Sequence, residues 1–221
     1  MASSTAIRGV IFDMDGVLCD SEPFIAAAAI EMFRETYGVT VDRREFAPFV
    51  GTGEDHFIMG VAEKYGIKAT LPRDKQRTYA IYFGLIRGKL EPFPGAVEFV
   101  HACRRRGLRI AIATSADRIK LEGNLKEIGV PPETFDAIVT GEEVERKKPD
   151  PQIFLLAAQR LGLPPPLCLV IEDAPNGIRA GKAAGCRCLG ITSTFDDGTL
   201  RAAGADVIAP DLSAFSLETV A

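Results

Sequence analysis

Four places in this 221-residue chain set chemically capable side chains directly at or after an apolar run. Ile7–Phe12 leads into Asp13-Met14-Asp15-Gly16, and Leu108–Thr114 into Ser115-Ala116-Asp117. Phe135–Thr140 precedes Lys147-Lys148-Pro149-Asp150-Pro151, and Leu167–Ile171 runs into Glu172-Asp173. A carboxylate can attack phosphorus and carry the phosphoryl group. A second carboxylate two residues on can protonate a leaving alkoxide and then deprotonate water. A lysine neutralises phosphoryl oxygens, while a hydroxyl and backbone N–H groups at a helix N-terminus bind the rest. Carboxylates gathered this densely raise one another's pKa. A hard divalent cation relieves that repulsion, and Mg2+ favours oxygen ligands and substrate phosphate.

Taken singly, each group has a plainer account. A lone Asp-x-Asp is more often a solvated turn, and Thr114-Ser115 reads as a helix cap. Lys147-Lys148 reads as a surface basic pair, and Glu172-Asp173 as a cap for the next helix. The coincidence of all four at the ends of apolar runs makes the plain account weak.

Those runs must be the elements that hold the groups together. Ile7–Phe12, Leu108–Thr114, Phe135–Thr140, Leu167–Ile171 and Arg187–Ile191 lack polar alternation, with Ala205–Ala209 as a short sixth. They read as strands buried on both faces. Helical stretches fall between them, near 95–106, 116–128, 151–161, 176–184 and 198–203. Gly107, Gly129, Gly162, Gly185 and Gly204 punctuate the ends of these stretches. The alternation predicts right-handed crossovers and a parallel sheet, whose carboxyl edge would collect the reactive side chains.

One interval breaks the rhythm. Between about 21 and 91 there is only helical periodicity, in Glu22–Tyr37, Arg43–Val50, Asp55–Tyr65 and Pro72–Arg87. The expectation is an α/β, Rossmann-like core over 1–20 and 92–221 with an all-α cap inserted at 21–91. Pro92-Phe93-Pro94-Gly95 marks the return.

Composition limits the classes of partner. The chain carries 26 Lys+Arg against 30 Asp+Glu, a formal charge of -4, with no basic block, so nucleic-acid binding is not expected. No apolar run approaches a membrane span, and Met1–Ala6 is too short for a signal peptide. Five scattered cysteines, with no Cys-x-x-Cys, fit reduced thiols. The expected setting is cytoplasmic, with a small phosphorylated substrate as partner and a monomer or weak homo-oligomer as the assembly.

Gly9-Val10-Ile11-Phe12-Asp13-Met14-Asp15-Gly16-Val17-Leu18 resembles the first motif of the haloacid dehalogenase-like superfamily. Thr114 resembles its second motif, Lys148 its third, and Ile171-Glu172-Asp173 its fourth. Asp20-Ser21-Glu22-Pro23 and Glu172–Gly177 are typical of its phosphatase and β-phosphoglucomutase branch. The resemblance covers about 7 to 210. It implies Asp13 as nucleophile and Asp15 as general acid/base. It implies Mg2+ held by Asp13, the Asp15 backbone carbonyl and Asp173, with Glu172 in or beside that set. Phosphate would be held by Thr114, the Ser115 backbone and Lys148, the last because the motif lysine directly precedes proline. Met14 would point away from the site, and Arg118 would lie where the family often contacts substrate.

The cap would decide the substrate. Phe49–Asp55, with Gly51, Thr52 and Glu54, resembles the cap loop that faces the active site in this branch. The mutase has an arginine there for a second phosphate, where this chain has Glu54, and a cap histidine is replaced near Ile25. Lys75 aligns with a mutase cap lysine and reads equally as a solvated helix residue. His56 reads as a helix-surface residue, and His101 lies far from the strand ends. The implied activity is a Mg2+-dependent phosphatase of small metabolites, with sugar phosphomutase as the alternative. The runs Gly51–Glu54 and Ser115–Lys120 also resemble the dehalogenase-like domain of a plant thylakoid protein, which keeps a regulatory, non-catalytic reading open.

Overall fold

The computed structural model describes residues 6–49 and 51–220. Its sheet is built from β1 (Gly9–Phe12), β2 (Arg109–Ala113), β3 (Ala137–Val139), β4 (Cys168–Glu172), β5 (Arg187–Ile191) and β6 (Val207–Ala209). All six strands are parallel, in the order β3-β2-β1-β4-β5-β6. The expected strands are present, each trimmed by a residue or more except β4 and β5. β4 instead starts one residue later and ends one later, so Glu172 is its last residue.

Apolar side chains on both faces explain why these runs form strands. Val10 and Phe12 point to one side, where Phe12 meets Phe99 and Phe135 edge-on at ring distances of 6.1 and 6.3 Å. Ile11 points to the other, among Ile153, Phe154 and Ile178. The first face is covered by α4 (Ala96–Arg105) and α5 (Arg118–Glu127). The second is covered by α6 (Gln152–Leu161), α7 (Pro175–Ala183) and α8 (Asp197–Ala202). The five glycines read as helix stops all have positive φ, from +65° at Gly162 to +106° at Gly204.

The segment between β1 and α4 is helical, as its periodicity predicts. It contains α1 (Glu22–Tyr37), α2 (Glu54–Lys64) and α3 (Arg73–Ile86). α1 packs on α3, with Arg77 paired to Glu35 at 2.6 Å and the Tyr37 hydroxyl donating to Asp74 at 2.5 Å. One expectation is corrected. Arg43–Phe49 forms 3-10 turns and not an amphipathic α-helix, because Pro48 cannot donate to the helical ladder. Phe46 still anchors it by stacking on Phe57 at 4.5 Å. Val50, at the end of that run, and Met1–Thr5 lie outside the described residues. The chain's two passages between the cap and the sheet run side by side, with Cys19 bridged to Pro92 and the Phe93 N–H donating to the Leu18 carbonyl at 3.0 Å. No helix among the described residues is long and apolar enough to cross a membrane.

Candidate active site

β1 lies between β2 and β4, where the strand order reverses direction, and this is where parallel sheets open a crevice at their carboxyl edge. Asp13 follows β1, Thr114 follows β2, and Glu172 and Asp173 end and follow β4. Lys148 arrives on the loop before α6. These residues, with Asp15 and Ser115, line one cleft of ≈ 330 Å³.

Lys148 is the hub on the floor of this cleft. Its side chain is 5% exposed, and Nζ lies 2.6 Å from both Asp13 Oδ1 and Glu172 Oε1, and 3.2 Å from the Ala113 carbonyl. Burial alone would lower the Lys148 pKa, but the two carboxylates outweigh it and hold it above the usual lysine range. Lys147 turns away and donates to the Gly141 carbonyl. Glu172 Oε2 accepts the Asp173 and Ala174 N–H groups, each at 3.0 Å. Two glycines make room for these carboxylates. A Cβ on Gly177 would strike the Glu172 carboxylate, and one on Gly16, at φ +80°, would strike that of Asp173.

Asp13, Glu172 and Asp173 each offer a carboxylate oxygen within 4.8 Å of the others, and all three are buried. Burial pushes the Asp13 pKa up to about 7, opposed by Lys148 and reinforced by Glu172 and Asp15. Burial, then Glu172 and Asp13, push Asp173 well above the carboxylate range. Hard, crowded oxygen donors with one ammonium counter-charge fit a divalent cation. The Asp15 carboxylate is not in this group. It turns toward the cap, where Oδ2 accepts from Lys120 Nζ at 2.8 Å, and Oδ1 accepts from the Ser21 hydroxyl and from Asn124 Nδ2 at 3.5 Å.

The cap residues divide. Gly51 lines the cleft. Glu54, the first residue of α2, is only 6% exposed and pairs with Lys120 at 3.2 Å. Thr52 spends its hydroxyl on the Phe49 carbonyl at 2.7 Å and does not line the cleft. Lys75 is neither a lining residue nor freely solvated, since it joins Asp55 to Asp117 at 2.8 Å each. Arg118 is not brought to the cleft. It is exposed and faces Glu122 and Glu143 at 3.5 and 3.9 Å. His56 and His101 are exposed, and Met14 is fully buried against Cys19.

Sequence reasoning missed Lys120, Asn124 and Tyr82, which stand behind Asp15, and Glu22, Arg179 and Phe195, which line the cleft. The available signal for the first two was polar residues in a buried stripe, since Lys120, Leu121, Asn124 and Leu125 share one face of α5.

The model of the haloacid dehalogenase-like hydrolases matches residues 7–185. The chain belongs to the haloacid dehalogenase-like hydrolases. Within that family it is 43% identical over 218 residues to Suppressor of Quenching 1, a chloroplastic protein of Arabidopsis thaliana, covering 97% of this chain and 20% of that protein. The chain therefore spans about a fifth of that relative. It is 31% identical to a phosphorylated carbohydrates phosphatase of Thermotoga maritima, over 87% of this chain and 88% of that one. Among solved structures, CbbY of Rhodobacter sphaeroides in complex with phosphate superposes with a TM-score of 0.82 at 29% identity, over 94% and 95% of the two chains. The similarity to the chloroplastic protein extends along 97% of the chain.

Proposed function

We propose that this hydrolase is a Mg2+-dependent phosphatase of small phosphorylated metabolites, sugar phosphates among them, working through an aspartyl-phosphate. The observation that carries the reading is the buried set of Asp13, Glu172 and Asp173 at the carboxyl ends of β1 and β4, with Lys148 reaching in from the loop before α6. The relative named for phosphorylated carbohydrates, matched almost end to end, supports the substrate class.

Asp13, Asp173 and Glu172, with the Asp15 backbone carbonyl, would hold the cation. When bound, Mg2+ supplies charge neutralisation at the phosphoryl oxygens. The chain's own groups do the rest. A carboxylate oxygen of Asp13 bonds to phosphorus as the ester P–O bond breaks, and the departing alkoxide takes a proton from Asp15. Water then attacks the phospho-aspartate, Asp15 accepts its proton, and inorganic phosphate leaves as Asp13 is restored. Lys148 counters the charge on Asp13 and on the transferring group. Thr114 and the Ser115 N–H hold the remaining oxygens.

The test is a panel of phosphorylated sugars, polyols and nucleotides, assayed with Mg2+ and with excess chelator. Metal-dependent phosphate release is expected, with Asp13→Asn slower by several orders of magnitude, as for a lost nucleophile. A mutase would convert a sugar monophosphate to its isomer faster than it released phosphate when primed with a bisphosphate. A regulatory domain would turn over nothing on the panel. Asp13→Asn activity within tenfold of wild type would remove Asp13 as nucleophile.

A further inference from the structure

The cap rests on one face of α5. Asp117, just before that helix, and Lys120, Asn124 and Glu127 within it follow one another at helical spacing. Each holds a cap residue. Lys75 pairs with Asp117 at 2.8 Å and Glu54 with Lys120 at 3.2 Å. The Tyr82 hydroxyl donates to Asn124 at 2.5 Å, and the Gly88 N–H donates to Glu127 at 2.7 Å. Gly123 keeps the same boundary close, since a Cβ there would strike the Phe83 ring. Two members of this stripe, Lys120 and Asn124, also reach the other way, to Asp15. Lys120 Nζ lies 2.8 Å from Asp15 Oδ2, and Asn124 Nδ2 lies 3.5 Å from Oδ1. Both donors are buried, while the Asp15 side chain is 16% exposed and lines the cleft.

We infer that Lys120 and Asn124 are positioning residues for the acid/base group Asp15, each fixed from behind by a residue of the cap. The assignment rests on the phosphatase reading and adds to it the residues that aim Asp15. Proton transfer needs a carboxylate oxygen within about 2.6–3.2 Å of the leaving oxygen, and a free aspartate side chain turns about two bonds. Lys120 holds one oxygen, and Asn124 and Ser21 hold the other, so both torsions are set. Oδ2 has capacity for a second bond beyond that from Lys120. Stability alone does not account for these residue types. A buried ion pair exchanged for apolar side chains of similar volume is often neutral or stabilising, so an apolar stripe would seat the cap as well. A lysine and an amide are needed where a carboxylate has to be held. Glu54 and Tyr82 belong to the cap, so the aim of Asp15 depends on the cap being seated on α5. Side chains that act through a reacting group in this way must themselves be locked by packing and hydrogen bonds, as these two are.

The experiment compares kcat/KM for an alkyl ester, a hexitol 6-phosphate, with that for p-nitrophenyl phosphate, in wild type and variants with Mg2+ present. An alkoxide needs a proton to leave, and a nitrophenolate does not. The parameter kcat/KM covers the steps up to loss of the alcohol, so the later work of Asp15 on water does not enter. Lys120→Met should therefore cost the alkyl ester about ten- to a hundredfold more than the aryl ester, part of the 10²–10⁴ that a placed general acid supplies. That variant leaves Glu54 buried without a counter-charge, so Lys120→Met with Glu54→Gln is made beside it and should show the same split. Asn124→Leu with Tyr82→Phe replaces both ends of one hydrogen bond by apolar groups of similar shape. Its split should be smaller, about three- to tenfold, because its bond to Asp15 is the longer one. This pair decides the matter if neither lysine variant folds by circular dichroism. Variants that lose the two esters equally, or that keep both, overturn the positioning role and leave the phosphatase standing. Asp15→Asn is the reference and should show the largest split. A flat Asp15→Asn removes the acid/base assignment and the positioning role with it. Wild type that hydrolyses neither ester removes the phosphatase reading itself.

Discussion

Glu22 opens α1 and turns its carboxyl toward the cleft, and its position is costly in a way that pH can expose. Burial pushes its pKa from 4.5 up to about 7, with Lys120 opposing and Asp15 and Glu54 reinforcing. The sign follows from linkage. Below pH 4.5 the group is neutral in both states and costs nothing. Between there and about 7 the unfolded chain ionises first, so folding must restore the proton and stability falls as pH rises. Above about 7 both states are ionised and the full penalty stands. Glu22→Gln should therefore match wild type in the most acidic buffers and exceed it by about 1–3 kcal/mol at pH 8, on the scale of 1.36 kcal/mol per pKa unit with partial solvent screening allowed for. Urea unfolding of both proteins from pH 4.5 to 8 checks this, and a difference that stays constant across the range contradicts the burial account.

At the scale of elements, a buried hydrogen bond joins α3 and α5 across the cap–core boundary. The Tyr82 hydroxyl donates to Asn124 Oδ1 at 2.5 Å, with both residues fully buried. Tyr82→Phe would leave the Asn124 carbonyl oxygen unpaired inside the protein. The expected loss is about 1–3 kcal/mol, the cost of a buried unsatisfied acceptor. Asn124 also reaches Asp15, so the expected kinetic signature is a lowered kcat with KM less affected. A variant as stable as wild type would mean that water or a shifted Asn124 replaces the contact. These two helices also show what the amino-acid sequence makes legible. The strand ends are readable because an apolar run followed by acid, hydroxyl or lysine is a local pattern, and β1, β2 and β4 carry it plainly. Arg43–Phe49 misleads because its apolar spacing is helical while Pro48 forbids the ladder. Lys120 and Asn124 leave only a striped pattern along α5, and Tyr82 leaves none. Their meaning depends on how α5 faces α3 and the start of α2, which no window of sequence encodes. Arg118 fails for the related reason that its side chain leaves α5 on the solvent side, two residues before Lys120 turns inward.

For the molecule as a whole, the proposed metal site is a charge imbalance built into the folded state. Asp13, Glu172 and Asp173 crowd together with Lys148 as the ammonium between two of them, and folding without a cation must bear their burial and mutual repulsion. In the unfolded chain Asp13 is far in sequence from the adjacent Glu172 and Asp173, so the three-carboxylate site is absent. A cation that binds only the native state stabilises it by about 2.7 kcal/mol at a hundred times its Kd. For a chain of this length that corresponds to a rise in Tm of about 5–10 °C. Mg2+ should produce this shift saturably, and potassium at equal ionic strength should not, since simple screening would serve both alike. Asp173→Asn separates site binding from general ionic effects. It removes one of the repelling charges, so the metal-free variant should melt higher than metal-free wild type. It also removes a ligand, so the Mg2+ shift should collapse. Thermal scans of both proteins across a Mg2+ titration read the two effects together. If Asp173→Asn keeps the whole shift, the cation binds somewhere other than the ends of β1 and β4, and the proposed phosphatase loses the charge that its transition state requires.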